Sequence, residues 1–415
     1  MESDGVHLFK TLRLSAMMFL QYFIYGSWYA TAGLAMAKYG FSSIIGLTYS
    51  LVAVASIISP IILGVVADRF LSSEKVIGTL HAIGGILLLF IPSQMESGQQ
   101  NLFLCLLFLY MLILTPTFAL TNNVAFHHIK DPSKHFPVIR VFGTIGWIAA
   151  GVGIGQCNLS DSSLIFTIAG IASFIQGIYS FTLPSTPAPA KGKAFSKREL
   201  LRIDAFKMMK DRAFLIFMLT SLFLNIPIAS YSSFTSPFLG AMGYHHVGSL
   251  MSMGQGLEIF FMLTLPFFMA RLSIKRMLFI GMIAWVIRFG LFAIGAPSGI
   301  DALIMIGIAI HGICINFFMI PGTIFVERMA SRDIKAQAQS LFVLFTQGIG
   351  TFIGSLISGL FYNATMVSSY SVQYQWALFW SIPALIALLV TVFFVFAFRM
   401  KNEEYEKTDI HVVQK

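Results

Sequence analysis

Apolar residues gather in twelve blocks along the chain, roughly 12–36, 43–66, 76–93, 102–124, 138–156, 162–183, 213–240, 247–270, 275–296, 301–326, 337–362 and 375–398. At about 1.5 Å per helical residue, each can cross a hydrocarbon layer about 30 Å thick. The pattern predicts an all-α membrane protein of twelve transmembrane helices. The first block is too long for the apolar core of a signal peptide, and no small-residue cleavage site follows it, so it is expected to stay in the mature protein. The blocks are joined by short polar stretches, with one exception. Residues 184–212 hold Pro184, Pro187, Pro189 and a basic tract, which reads as a linker between a six-helix half at 1–183 and another at 213–415. Composition agrees: 57% hydrophobic residues, 11% charged residues and a mean hydropathy of +0.80 leave too little polar surface for a water-soluble globule.

Polar residues inside the blocks carry the chemistry. In MSMGQGLEIFFMLTLPFFMA, 251–270, Gln255 and Glu258 stand one helical turn apart on a shared face. Glu258 is thirteen residues from Arg271, about 20 Å along a helix, and is the one carboxylate placed so deep in a span. A charge there costs roughly 2.5 kcal/mol or more and demands a partner, a proton or a wet cavity. Arg288 lies thirteen residues from Lys275, at a matching depth on the next span, and is a candidate supporting charge. In the fifth span Arg140, Thr144 and Trp147 form a stripe at i, i+4 and i+7. Spacing alone slightly favours an Arg140 that snorkels to the surface, three residues beyond Pro137. Glycines 143, 146, 151, 153 and 155 of that span would admit a close neighbour.

Gln21 and Tyr25 of the first span fit a cavity lining and an interfacial aromatic belt about equally well. Asn225, Ala229 and Ser232 share a face in the seventh span, as do His311, Ile315 and Phe318 in the tenth, with Asn316 beside them. A lone buried histidine such as His311 fits a structural and a functional role equally. Thr346 and Gln347 precede a glycine-spaced segment of the eleventh span. From where these residues sit, spans one, four, five, seven, eight, ten and eleven should line a central cavity, with three, six, nine and twelve outside.

The chain has 27 basic and 18 acidic residues, a net charge of +9. The basic residues fall in alternate connections, not in a basic domain, so a nucleic-acid partner is excluded and the positive-inside rule applies. It predicts both termini in the cytoplasm. Cys105, Cys157 and Cys314 suit neither a disulfide framework nor a metal motif, and the adjacent pairs His127–His128 and His245–His246 do not share a helix face. No HExxH, GxSxG or phosphate-binding loop is present, so neither an enzyme nor a resident metal or cofactor is expected.

Between spans two and three, GVVADR at 64–69, with Lys75 following, resembles the loop signature of the major facilitator superfamily. Asp68 and Arg69 are then candidates for a gate that one conformational state makes and another breaks. FLQYFIYGSWYATAG, FPVIRVFGTIGWI, AWVIRFGLFAIG and FFMIPGTIFVE are similar to the bacterial nucleoside:proton symporters over nearly the whole chain. The resemblance implies a major facilitator fold and a monomer in the inner membrane that imports nucleosides with protons by alternating access. It also implies a substrate site of Arg140, Thr144, Trp147, Asn225, Ser232, Gln255, Glu258, His311 and Phe318, overruling the snorkelling Arg140, with Glu258 and His311 as proton carriers. There are departures. Ala229 and Ser232 occupy positions where members present a glutamine and an asparagine, Asn316 stands where members carry an acid, and His311 stands at a tyrosine position. A sugar or other polar-solute carrier and an uncoupled nucleoside facilitator therefore remain alternatives.

Overall fold

The computed structural model describes residues 2–70, 72–129, 131–188, 203–366 and 369–399, with side chains omitted at 2–8, 60–70, 132–133 and 203. The described residues are helical and contain no strand. In chain order the helices are α1 (Glu2–Gly26), α2 (Ala32–Lys38), α3 (Ile45–Phe70), α4 (Ser73–Glu96), α5 (Gln100–His128), α6 (Pro132–Gln156), α7 (Leu164–Thr182), α8 (Arg212–Ala241), α9 (Val247–Met269), α10 (Ile274–Ser298), α11 (Asp301–Ala309), α12 (His311–Met329), α13 (Lys335–Val343), α14 (Thr351–Thr365) and α15 (Val372–Ala397). Short 3-10 turns and a four-residue helix, Ile203–Phe206, fill connections.

Eleven of the twelve apolar blocks appear among the described residues as helical spans long and apolar enough to cross a membrane. The first block differs. α1 ends at Gly26, a turn covers 27–31, and α2 resumes. Glycine is the weak point of a helix, and a Cβ on Gly26 would lie 3.0 Å from the Trp147 backbone, so close approach to α6 fixes that residue. The tenth block also breaks, at Ile310 between α11 and α12. The eleventh is interrupted by a π-helical stretch, Leu344–Gly350, between α13 and α14.

The chain divides into two compact units, one of 1–195 with 234–252, the other of 196–233 with 253–415. The latter parts of α8 and the first residues of α9 thus join the first unit. In that unit α4 lies against α5 and α7, and α1 against α6 and α7. Leu14, Met17, Met18, Ile77, Leu120, Val124 and Ile139 form its apolar core. Glycines set the spacing of α6. A Cβ on Gly146 would strike the Phe19 carbonyl, and Cβ atoms on Gly151 and Gly155 would strike Ser252 and Ser249 of α9, whereas Gly153 faces open space. In the second unit α10 is the central element, against α11, α12 and α15. Trp285, Phe289, Trp380 and Trp376 stack successively at 5.5, 5.5 and 6.2 Å between ring centroids. Outward faces remain apolar: Ile178 is 72% exposed, Leu263 72% and Phe396 75%, as lipid contact requires.

Candidate substrate and proton sites

The second unit meets the charge problem posed by its spans through a line of three side chains. Arg288 is fully buried, which an unpaired guanidinium would not survive. Its partners come from the helix break. α11 stops at Ala309, where the cap N–H groups donate to the Ile306 and Ile308 carbonyls and leave that of Gly307, at the negative end of the helix, to be met from elsewhere. Arg288 Nε donates to the Gly307 carbonyl at 2.7 Å and Nη2 to that of Ile308 at 3.4 Å. Nη1 lies 3.1 Å from His311 Nδ1, and the guanidinium sits 4.2 Å above the Tyr231 ring and 4.8 Å above Trp285. Because a guanidinium only donates, His311 Nδ1 accepts and the ring proton belongs on Nε2. That atom is 3.6 Å from Glu258 Oε2, within ion-pair range and too long for a hydrogen bond. His311 also stacks on Tyr231, with centroids 5.2 Å apart.

Glu258 and Arg288 therefore share one cluster, as their matching depths suggest, with His311 standing between them. Glu258 can gain or lose a proton without depriving Arg288 of the contacts described above. Asn316 is buried and donates from Nδ2 to the Glu258 backbone carbonyl at 2.9 Å, joining α12 to α9. Gln255, one turn from Glu258, is half-buried, and its Oε1 has no hydrogen-bond partner among the described residues.

Other residues named from the sequence are turned elsewhere. Phe318 is fully buried, its ring stacked 6.1 Å from Phe217 and its backbone against Gly281, so it offers no open face for a flat base. Asn225 is buried, donates to the Ser221 carbonyl at 2.7 Å and lies against Gly350. Ser232 is half-buried and donates to the Ile228 carbonyl at 3.2 Å. Both satisfy their own helix.

In the first unit Arg140 is half-buried with its guanidinium 4.1 Å over Tyr22, an arrangement unlike a side chain snorkelling into water. Tyr25 packs edge-on against Trp147 at 5.3 Å and Phe118 at 5.6 Å, and tilts against Tyr29 at 4.6 Å. Trp147, Tyr25 and Thr144 are half-buried. Gln21 points inward: Nε2 donates to Thr117 Oγ1 at 2.8 Å, and Oε1 lies 2.9 Å from His81 Nε2. His81 Nδ1 in turn lies 3.0 Å from Ser173 Oγ, which donates to the His81 carbonyl. Sequence reasoning singled out neither His81 nor Ser173. The available signal was a lone histidine in span three and, in span six, the polar stripe Ser173, Gln176 and Ser180 at i, i+3 and i+7.

The histidine pairs hold loops. His128 Nε2 lies 3.0 Å from Thr186 Oγ1, and Glu74 accepts the Thr186 N–H at 2.9 Å, pinning the start of the linker. His246 Nδ1 donates to the Gly155 carbonyl at 2.7 Å beside a cavity of about 290 Å³ that Asn158, Asp161 and Tyr244 also line. No cluster of three metal-ligating side chains occurs among the described residues. The side chains of Asp68 and Arg69 lie outside the described residues.

The description of the family whose model matches residues 8–403 is nucleoside H+ symporter. The chain is 35% identical over 407 residues to YegT of Escherichia coli (strain K12), covering 95% of each chain. It is 32% identical to xanthosine permease of the same organism over 94% of this chain and 96% of the other. Against the crystal structure of the nucleoside transporter NupG, the TM-score is 0.85 at 29% identity, over 94% of this chain and 99% of that one. With its apolar helices, these matches make the protein a multi-pass membrane transporter of the major facilitator fold and not an enzyme. The chain belongs to the nucleoside H+ symporter family.

Proposed function

We propose that the protein imports nucleosides with protons across the bacterial inner membrane, its two six-helix halves (1–183 and 213–415) alternating access and both termini cytoplasmic. Glu258 carries this reading. It is a half-buried carboxylate at mid-span depth, beside a histidine whose other nitrogen is engaged by a buried arginine. Glu258 takes the proton, and His311 turns its Nε2 edge toward the carboxylate from 3.6 Å, within ion-pair range, where the N–H dipole favours the charged form when the proton leaves. Gln255 and Glu258 offer the amide and carboxylate that ribose hydroxyls and base edges match. Arg140, Thr144 and Trp147 supply a cation, a hydroxyl and a stacking surface. Asp68 and Arg69, at the end of α3, are proposed as the conformational gate.

Uptake of labelled uridine and adenosine into proteoliposomes with an imposed inward proton gradient tests the reading. Accumulation above the external concentration, abolished by a protonophore, is expected. Equilibration alone would identify a facilitator, and transport of a sugar in preference to both nucleosides would overturn the substrate class.

A further inference from the structure

We propose that Gln347, presented by the π-helical turn in the eleventh span, hydrogen-bonds the base edge of the transported nucleoside and sets base preference; this inference rests on the nucleoside reading above. π-Helical turns are rare and occur often at functional sites. The one at Leu344–Gly350 is stabilised locally, since Thr351 Oγ1 donates to the Thr346 carbonyl five residues back at 3.2 Å. Gln347 sits in its middle. The side chain is exposed and makes no hydrogen bond among the described residues.

An exposed amide within a span faces either lipid or a wet space, and two cross-links decide which. Lys335 of α13 pairs with Glu327 of α12 at 2.9 Å, and Gln339 donates to the Thr323 carbonyl of α12 at 2.7 Å. Each step of four residues along one helix thus matches four residues back along the other, as antiparallel helices require. Continuing that register sets Val343 level with Met319 and Gln347 level with Ile315, one turn from His311. The wider π turn holds Val343 and Gln347 more nearly in line than an α-helix would. The stripe they extend borders exposed Thr323 and Glu327, polar residues unsuited to lipid. Thirteen residues on, Leu360 is 68% exposed and emerges on the far side of the helix axis, where lipid contact suits it. Depth agrees as well: Gln347 is twelve residues from Lys335, about 18 Å, and Glu258 is thirteen from Arg271, about 20 Å.

A primary amide presents a donor and an acceptor side by side, the complement of the paired donor and acceptor on a base edge, as in glutamine recognition of adenine. A ribose hydroxyl does not require that pairing, so the amide is assigned to the base.

Gln347→Met keeps the side-chain length and removes both hydrogen-bonding groups, and Gln347→Ala removes the reach. In proteoliposomes with an imposed proton gradient, both variants should raise the KM for uridine roughly five- to tenfold, the scale of one or two lost hydrogen bonds, with maximal rate within about twofold of the parent. The parent protein should reject 3-methyluridine, whose base-edge donor is blocked, and the variants should lose that discrimination. A purely structural glutamine would change maximal rate or melting temperature and leave discrimination intact. Unchanged KM and unchanged discrimination in both variants, or a parent that accepts 3-methyluridine as well as uridine, would overturn the assignment while the nucleoside reading stands. A parent protein that takes up no nucleoside would remove that reading, and this assignment with it.

Discussion

Replacing Arg288 by methionine removes a charge that holds a helix break together. The guanidinium spends its hydrogen bonds on the Gly307 and Ile308 carbonyls and on His311 Nδ1, and it is fully buried. Methionine fills much of the volume and leaves the Gly307 carbonyl and His311 Nδ1 without a donor, while the Ile308 carbonyl keeps a backbone N–H. A buried acceptor stripped of its partner costs about 1–3 kcal/mol. The Gly307 contact at 2.7 Å should count in full and the Ile308 contact at 3.4 Å in small part. With the lost stacking over Tyr231 and Trp285, worth about 0.5–2 kcal/mol, the total is about 1.5–5 kcal/mol. For a unit of this size that corresponds to roughly 3–20 °C of melting temperature. Tryptophan fluorescence of detergent-solubilised protein reports the change directly, because Trp285 lies beneath the guanidinium. Arg288→Lys should recover little, since one ammonium cannot span two carbonyls and an imidazole in the geometry of a planar fork. A shift under 2 °C for Arg288→Met would refute the reasoning, because the carbonyls would then be satisfied without arginine.

Glu258→Gln should abolish uridine accumulation driven by a proton gradient while exchange across the membrane persists; accumulation equal to the parent's in vesicle uptake would remove Glu258 as the proton carrier. Gly146→Leu should reduce folded yield sharply, because the Phe19 backbone occupies the space, whereas Gly153→Ala meets open space and should leave size-exclusion profile and uptake unchanged. For the inner network, a double-mutant cycle of Gln21→Leu and His81→Leu should show a coupling of about 0.5–3 kcal/mol in thermal unfolding, and additive single effects would count against the contact at 2.9 Å.

The helical architecture was legible because lipid removes choices. Every backbone group must be paired internally, so block length and apolarity define the spans almost without reference to side-chain detail. Depth was legible too, which is why Glu258 and Arg288 could be matched by counting from basic residues at the ends of their spans. Direction was harder. Phe318 shares a face with His311 at a spacing of seven, yet it is buried against Phe217, because neighbouring helices close over part of that stripe. Gln21 resembled a cavity residue because its partners, Thr117 and His81, come from spans remote in sequence. Breaks were the least visible. Nothing in the periodicity around Ile310 announces that α11 ends there, since the Gly307 carbonyl freed by the break is met by an arginine on another helix.

Asn316 has a consequence for how an acid would behave in its place. Its amide donates to a backbone oxygen, which can only accept. A carboxylate at the same position would set acceptor against acceptor, and the joint between α9 and α12 would form only with a proton on the acid. Such a residue would make that joint a reader of acidity, closed when protonated and open when not. The amide supplies a permanent donor. In this protein the Asn316 link between α9 and α12 is indifferent to pH, so an arriving proton must be sensed at the Glu258 side chain and not at the amide that holds its backbone.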